Sequence, residues 1–191
     1  MELLKQRILK DGKVIGDDIL KVDSFLNHQI DPALLYEMAL ELKRLFGGEG
    51  VNKIFTIEAS GIALACMAGY VFSCPLVFAK KSRSRNISDD VYSAEVESFT
   101  HGKVYDIIVA REFLRPEDRV LLIDDFLANG SAMNALIDIV HQAGAEVVGA
   151  GIVIEKAFQP GGERIRGQGI RVESLARIAS MSEETGVVFC D

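Results

Sequence analysis

The stretch VLLIDDFLANGSA, Val120 to Ala132, sets two adjacent carboxylates where an apolar run ends, and follows them with a loop of small side chains. Four apolar residues, Val120 to Ile123, have the look of a buried strand, with Asp124 and Asp125 at its carboxyl end. The loop Phe126-Leu127-Ala128-Asn129-Gly130 then opens a helix through Ser131 and Ala132. Small residues there let an anion approach the backbone N–H groups, and the start of a helix favours negative charge. Ser131 adds a hydroxyl donor. Two carboxylates touching that anion would repel it, so they serve another part of the same ligand. Paired acceptors suit vicinal hydroxyls, such as those of a ribose. A lone Asp at a strand end commonly does no more than end the strand, but the whole pattern asks for a sugar phosphate.

Outward from this stretch, two more loops share the design. TIEASGIALA (56–65) runs from a strand through a tight turn at Ala59-Ser60-Gly61 into a helix. VIEKAFQPGG (153–162) places Lys156 at a strand end and Phe158 in a loop rich in Gly and Pro. Lys156 can donate to a ring oxygen, and Phe158 can stack on a flat heterocycle. A solvated lysine and a core phenylalanine are the plain alternatives at those two positions.

The remaining pattern alternates strand and helix. Helices are expected at 2–10, 32–46, 61–72 and 131–144, and strands at 53–58, 75–81, 105–110, 119–124 and 146–156. The second helix has the clearest signals: Asp31 to cap it, Pro32 at its first position, and a stripe of Leu34, Leu35, Met38, Leu42 and Leu45 before Gly47. Continuous apolar strands separated by helices predict an α/β fold, a mostly parallel central sheet with helices on both faces. Ligands of such sheets bind beyond the carboxyl ends of the strands. Residues 17–30 have no clean period and are expected as a turn-rich excursion. The polar stretch 82–104 is expected as a flexible loop, with 105–110 a strand in a hairpin-like insertion.

Composition narrows the function classes. The 191 residues suit a single domain with an ordinary soluble balance, 49% apolar and 26% charged. No apolar stretch reaches the roughly 20 residues of a membrane span. The first residues mix charge into their apolar positions, unlike a signal peptide, so the cytoplasm is the expected compartment. Cys66, Cys74 and Cys190 are odd in number and widely spaced, which predicts free thiols. His28, His101 and His141 are scattered, which argues against a structural zinc site. The net charge of −7 works against nucleic-acid binding. The one basic cluster, KKSRSR (80–85), has no interleaved aromatics and is better suited to closing a loop over pyrophosphate.

Taken with its neighbouring strand and helix, VLLIDDFLANGSA resembles the phosphoribosyl pyrophosphate signature of the type I phosphoribosyltransferases. The segments LKVDSFLNHQIDP (20–32), DDFLANG (124–130), GIVIEKAFQPGG (151–162) and GIRVESLARI (169–178) extend the likeness to the bacterial salvage enzymes of that family that act on xanthine. It covers nearly the whole chain. The resemblance implies one domain over 1–191, with a small hood from the N- and C-terminal segments, about 13–30 and 157–191. It also implies base contacts from Leu20, Asn27 and Lys156, with Phe158 nearby. Ala59 and Ser60 fall in its pyrophosphate loop, and Ala128, Asn129, Gly130, Ser131 and Ala132 form its phosphate loop. Position 131 departs from the longer polar residue usual there, though serine keeps a donor.

The implied reaction moves a phosphoribosyl group from phosphoribosyl pyrophosphate to xanthine, with Mg2+ bound alongside the phosphoribosyl pyrophosphate and Asp124 and Asp125 as the catalytic acids. No residue is assigned as a direct metal ligand or as a general base. The family also implies a homodimer. By chemistry alone xanthine, guanine and hypoxanthine stay open, because Asn27 carries both a donor and an acceptor. A regulator that senses phosphoribosyl pyrophosphate on the same fold is the alternative from another class.

Overall fold

The computed structural model of the chain describes residues 1–81, 90–98 and 103–190. The chain opens with α1 (Glu2–Asp11), the short strands β1 (Lys13–Ile15) and β2 (Ile19–Lys21), and a wide turn at Asp23–Asn27. Then come α2 (Pro32–Phe46), β3 (Lys53–Ile57), α3 (Ile62–Phe72) and β4 (Leu76–Ala79). A hairpin of β5 (Val91–Ser98) and β6 (Lys103–Ala110) precedes β7 (Arg119–Leu127) and α4 (Ser131–Gln142). The rest is β8 (Glu146–Lys156), α5 (Gly161–Gly167), β9 (Val172–Ser182) and β10 (Gly186–Phe189).

Six strands form the central sheet in the order β10-β9-β8-β7-β3-β4. All neighbours in it are parallel except β10, which pairs antiparallel with β9. The expected α/β architecture with a mostly parallel sheet is therefore present. Alternation along β7 shows why both faces are covered. Leu121 and Ile123 join a core with α2 and α3, while Val120 and Leu122 join a second core with α4, α5 and the β5–β6 hairpin. On α2, Leu34, Leu35, Met38 and Leu42 are buried at helical spacing, and Phe46 closes the stripe where Leu45 was expected to. Each such side chain contributes roughly 1.5–3 kcal/mol through burial. The Asp31 side chain caps the helix by accepting from the Leu34 N–H at 3.2 Å, and its other oxygen accepts from Arg7 Nη1 at 2.8 Å, tying α1 to α2.

Four segments differ from the sequence reading. The stretch 17–30 contains β2, which pairs with β1 through Val14 and Leu20, so its strands were too short to carry a visible period. The polar stretch 82–104 contains the strand β5, whose alternating burial of Tyr92, Ala94 and Val96 was masked by polar residues on the other face. Residues 82–89 and 99–102 of that stretch lie outside the described residues. Strand β7 runs three residues past the expected end, because β8 is long enough to pair with it as far as Leu127. Of the segment 157–191, β9 and β10 lengthen the central sheet, and α1 and β1 pack against that extension.

Candidate active site

Three loops follow the carboxyl ends of the adjacent parallel strands β3, β7 and β8. Ala59 and Ser60 follow β3, Ala128 to Ala132 follow β7, and Lys156 ends β8 with Phe158 just beyond. The fold thus brings segments far apart in sequence to one edge of the sheet, where parallel sheets bind their ligands.

Asp124 and Asp125 lie within β7, past the last register pair that β7 makes with β3 at Phe55 and Leu122. On the other side the ladder to β8 continues, so their backbone is held while the β3 side opens. Both are buried, at 5% and 9% exposure, and the Asp125 N–H donates to Asp124 Oδ1 at 3.0 Å. Burial pushes the Asp124 carboxyl well above its usual range, and the Asp125 charge pushes it further. The Lys81 charge pulls the other way. Lys81 Nζ sits over the Tyr105 ring at 5.5 Å, and the Tyr105 hydroxyl is raised first by burial and then by the Asp124 charge. Lys81 and Tyr105 therefore share the field around the acids.

The loop after β3 is close by. The Glu58–Ala59 peptide bond is cis, and Glu58 Oε1 accepts from the Lys81 N–H at 2.6 Å. Ala59 is exposed and Ser60 half-buried. A side chain at Gly61 would meet the Thr56 hydroxyl at 2.2 Å and Asp124 Oδ1 at 3.5 Å, so this loop and the acid pair share a floor. Thr56 is fully buried, and among the described residues its hydroxyl has no hydrogen-bond partner.

The loop after β7 turns on Gly130, whose φ of 88° is the left-handed conformation that glycine adopts at no steric cost. It leads directly into α4 at Ser131. Asn129 Oδ1 accepts from the Ser131 N–H at 2.9 Å, and the Gly130 carbonyl accepts from the Asn134 N–H at 2.9 Å and from Asn134 Nδ2 at 3.0 Å. From outside, the Gly161 N–H donates to the Ala128 carbonyl at 2.9 Å.

The residues expected to contact a base are less uniformly arranged. Lys156 is half-buried, its Nζ lies 5.7 Å from the Phe126 ring centre, and it donates to the Asp18 carbonyl in the β1–β2 turn. Burial lowers the Lys156 pKa. That contact brings the N-terminal hairpin onto the end of β8. Leu20 on β2 is buried in the α2–α3 core, Asn27 is exposed at the end of the wide turn, and Phe158 is 42% exposed. Asn27 makes no side-chain hydrogen bond among the described residues.

Sequence reasoning placed Lys81 only within the basic run 80–85, and it missed Thr56, Tyr105 and the buried Glu155. The last was visible in principle: an acid inside the apolar run GIVIEK needs a cationic partner, and Arg166 in GGERIRG supplies it. Among the described residues no group of three or more His, Cys, Asp or Glu side chains is placed to hold a metal ion. Nor does any helix among them have the length and apolarity to cross a membrane. All three cysteines are free.

Known proteins match this chain over most of its length. A family model described as phosphoribosyl transferase domain matches residues 21–165, and the chain belongs to that family. A relative from Lachnoclostridium phytofermentans, named xanthine phosphoribosyltransferase, is 58% identical over 188 residues, covering 98% of this chain and 97% of the relative. Another of the same name, from Latilactobacillus sakei, is 53% identical over 191 residues, covering 100% of this chain and 97% of the relative. Among solved structures, adenine phosphoribosyltransferase from Giardia lamblia in complex with 9-deazaadenine superposes with a TM-score of 0.78 at 22% identity. That match covers 91% of this chain and 97% of the other, and shows the shared fold.

Proposed function

We propose that this chain is a xanthine phosphoribosyltransferase, an enzyme of purine salvage. It transfers the 5-phosphoribosyl group of phosphoribosyl pyrophosphate to xanthine, giving xanthosine 5′-monophosphate and pyrophosphate. The observation that carries the reading is the sequence of strand ends β3, β7, β8. They offer in spatial order a diphosphate loop, an acid pair with a phosphate loop, and a base-directed lysine. The names of relatives more than half identical over nearly the full chain favour xanthine as the base.

In this reading the Ala128–Ala132 loop and the start of α4 hold the 5′-phosphate. Ala59 and Ser60 face the diphosphate, and Asp124 and Asp125 accept from the ribose hydroxyls. Lys156 donates to the 6-oxo group of the base, Phe158 stacks on it, and Leu20 and Asn27 close over it from the N-terminal segment. The bond from the anomeric carbon to the pyrophosphate oxygen breaks, taking its electron pair to the pyrophosphate, and a bond to a purine nitrogen forms as that nitrogen's proton is released to solvent. The anomeric carbon becomes cation-like on the way, so fixed carboxylates nearby stabilise it, and positioning does the remainder. Magnesium travels with the diphosphate as part of the substrate and, when bound, neutralises charge on the leaving group. Residues 1–191 act as one domain in the cytoplasm. The chain works as a homodimer, a reading supported by the face of α3 and edge strand β4 that leaves Tyr70 77% exposed.

The test is turnover. Protein, magnesium, phosphoribosyl pyrophosphate and xanthine should yield xanthosine 5′-monophosphate, with guanine and hypoxanthine used less efficiently. Tight binding of phosphoribosyl pyrophosphate with no nucleotide formed from any of the three bases would reassign the chain as a sensor on the same fold.

A further inference from the structure

The acid at the penultimate position of β8 is not explained by substrate binding. Glu155 is 1% exposed, and its carboxylate is fully subscribed. Arg166 of α5 donates to both oxygens, at 2.7 and 2.8 Å, Ser174 Oγ to one of them at 2.5 Å, and Arg177 Nε lies 3.2 Å away. Burial alone raises the Glu155 pKa, but these hydrogen bonds and charges outweigh it and bring it below the ordinary value. Packing around the pair is close: a Cβ at Gly162 would lie 2.2 Å from Glu155 Oε1 and 2.6 Å from Arg166 Nη1. An ion pair with its carboxylate buried and its guanidinium partly exposed contributes little net stability compared with apolar packing, so its use is better sought in the geometry it imposes.

That geometry leads to the phosphate loop. With α5 fastened to β8 at Arg166, its first residue, Gly161, donates to the Ala128 carbonyl at 2.9 Å. The approach leaves no room for a side chain, since a Cβ at Gly161 would lie 2.3 Å from that same carbonyl oxygen. Just past its end, Gln168 Nε2 donates to Asn134 Oδ1 at 2.7 Å, and Asn134 Nδ2 donates in turn to the Gly130 carbonyl at 3.0 Å. The Ala128 carbonyl is thereby held directly from α5, and the Gly130 carbonyl by Asn134 of α4, whose amide Gln168 fixes in turn. In a planar trans peptide the N–H points opposite to the C=O. Holding the Ala128 oxygen therefore turns the Asn129 N–H away from α5, while the Ser131 N–H stays on Asn129 Oδ1 within the loop.

We propose that α5 is a brace for the phosphate loop, with the Glu155–Arg166 pair as the fastening that sets its position. Arg166 and Gln168 are then positioning residues for the 5′-phosphate and do not touch it. Glu155 and Lys156 leave β8 on opposite faces, so the brace acts on the phosphate side of the site and leaves the base side alone. The inference rests on the reading of residues 128–132 as the phosphate loop.

The experiment compares Arg166→Lys, which keeps the charge but cannot make the two-pronged contact, with Gln168→Leu at an exposed position. Each should raise the KM for phosphoribosyl pyrophosphate and the calorimetric Kd for xanthosine 5′-monophosphate by about tenfold, the scale of one lost supporting interaction. Both kcat and the KM for xanthine should stay within about twofold of wild type, because hydrogen bonds to the base are untouched. Should Arg166→Lys fail to fold, Gln168→Leu carries the same comparison. The brace is overturned if the variants leave phosphate-bearing ligands unaffected, or weaken xanthine and phosphoribosyl pyrophosphate alike. If wild-type protein itself fails to bind xanthosine 5′-monophosphate, the phosphate-loop reading falls, and the brace with it.

Discussion

The Asp125 backbone N–H donates to Asp124 Oδ1 at 3.0 Å in a stretch of β7 where both side chains are buried. That bond fixes one carboxylate against its neighbour without neutralising either. Burial foremost, and then the Asp125 charge, make the ionised form of Asp124 costly. A fold that keeps two such acids together accepts instability there, which accords with the catalytic role proposed for them.

The first prediction follows from the sign of that shift. The folded pKa of Asp124 stands above its unfolded value, so the folded state holds the proton more tightly. Stability from this group is therefore present below the unfolded pKa and is lost as pH rises toward the folded one. At neutral pH the group destabilises the fold. Asp124→Asn keeps an acceptor for the Asp125 N–H and removes the cost, so its Tm should rise. Catalytic efficiency should meanwhile fall by on the order of tenfold to a thousandfold through loss of an electrostatic stabiliser. A variant both less stable and fully active would contradict the assignment.

A second prediction uses pH directly. If the ionised Asp124 is the active form, the acidic limb of catalytic efficiency should lie above the ordinary carboxylate range. Asp125→Asn removes one of the charges that raise Asp124, so its acidic limb should move to lower pH, whatever its effect on the plateau. Kinetic profiles of wild type and variant decide it. A limb that stays in place, or moves upward, would mean that another group controls it.

The third concerns Gly130. Its φ of 88° costs an L-residue roughly 1–2 kcal/mol, and an added Cβ would come within 3.1 Å of Gly161 Cα. Gly130→Ala should lower Tm by a few degrees yet weaken xanthosine 5′-monophosphate by at least about tenfold, since a crowded loop cannot close on the phosphate. The Kd for xanthine should hardly change. Equal losses for base and nucleotide, measured by calorimetry, would remove the loop's special role.

How much of this was legible beforehand depends on the range of the interactions. The apolar run Val120–Ile123 and the small loop after Asp125 announce a buried strand and a helix start, because both signals are local. Phe126 and Leu127 continue the strand only because β8 runs alongside them, which no window around β7 contains. β5 was hidden for a related reason: half of its residues are polar, and the first strand of the expected hairpin-like insertion shows itself only through the pairing of Tyr92 with Val109 and Val96 with Tyr105. At the site, strand-end residues were found from their motifs. Lys81 was read only as part of a basic run, and Thr56 and Tyr105 were not found, since an ordinary strand threonine and a hairpin tyrosine gain meaning only from their proximity to Asp124.

The last prediction concerns the base and asks two residues to do different things. Lys156 sits at the end of β8 with its ammonium donating to the Asp18 carbonyl. A carbonyl oxygen of a bound base presents the same kind of acceptor, and the ammonium's remaining N–H groups can reach it while the hairpin turn stays in place. The 6-oxo group is common to xanthine, guanine and hypoxanthine, and Lys156→Ala should therefore weaken all three by similar factors. Asn27 is exposed on the turn after β2 and has both donor and acceptor to offer at the 2-position, where those bases differ. A site built around a polar group rejects an analogue lacking it far better than an apolar pocket can. Wild type should thus prefer xanthine over hypoxanthine, and Asn27→Ala should narrow the preference. Catalytic efficiencies for three bases in three proteins separate the roles. If Lys156→Ala changed the ratios while Asn27→Ala lowered every efficiency equally, the two assignments would have to be exchanged.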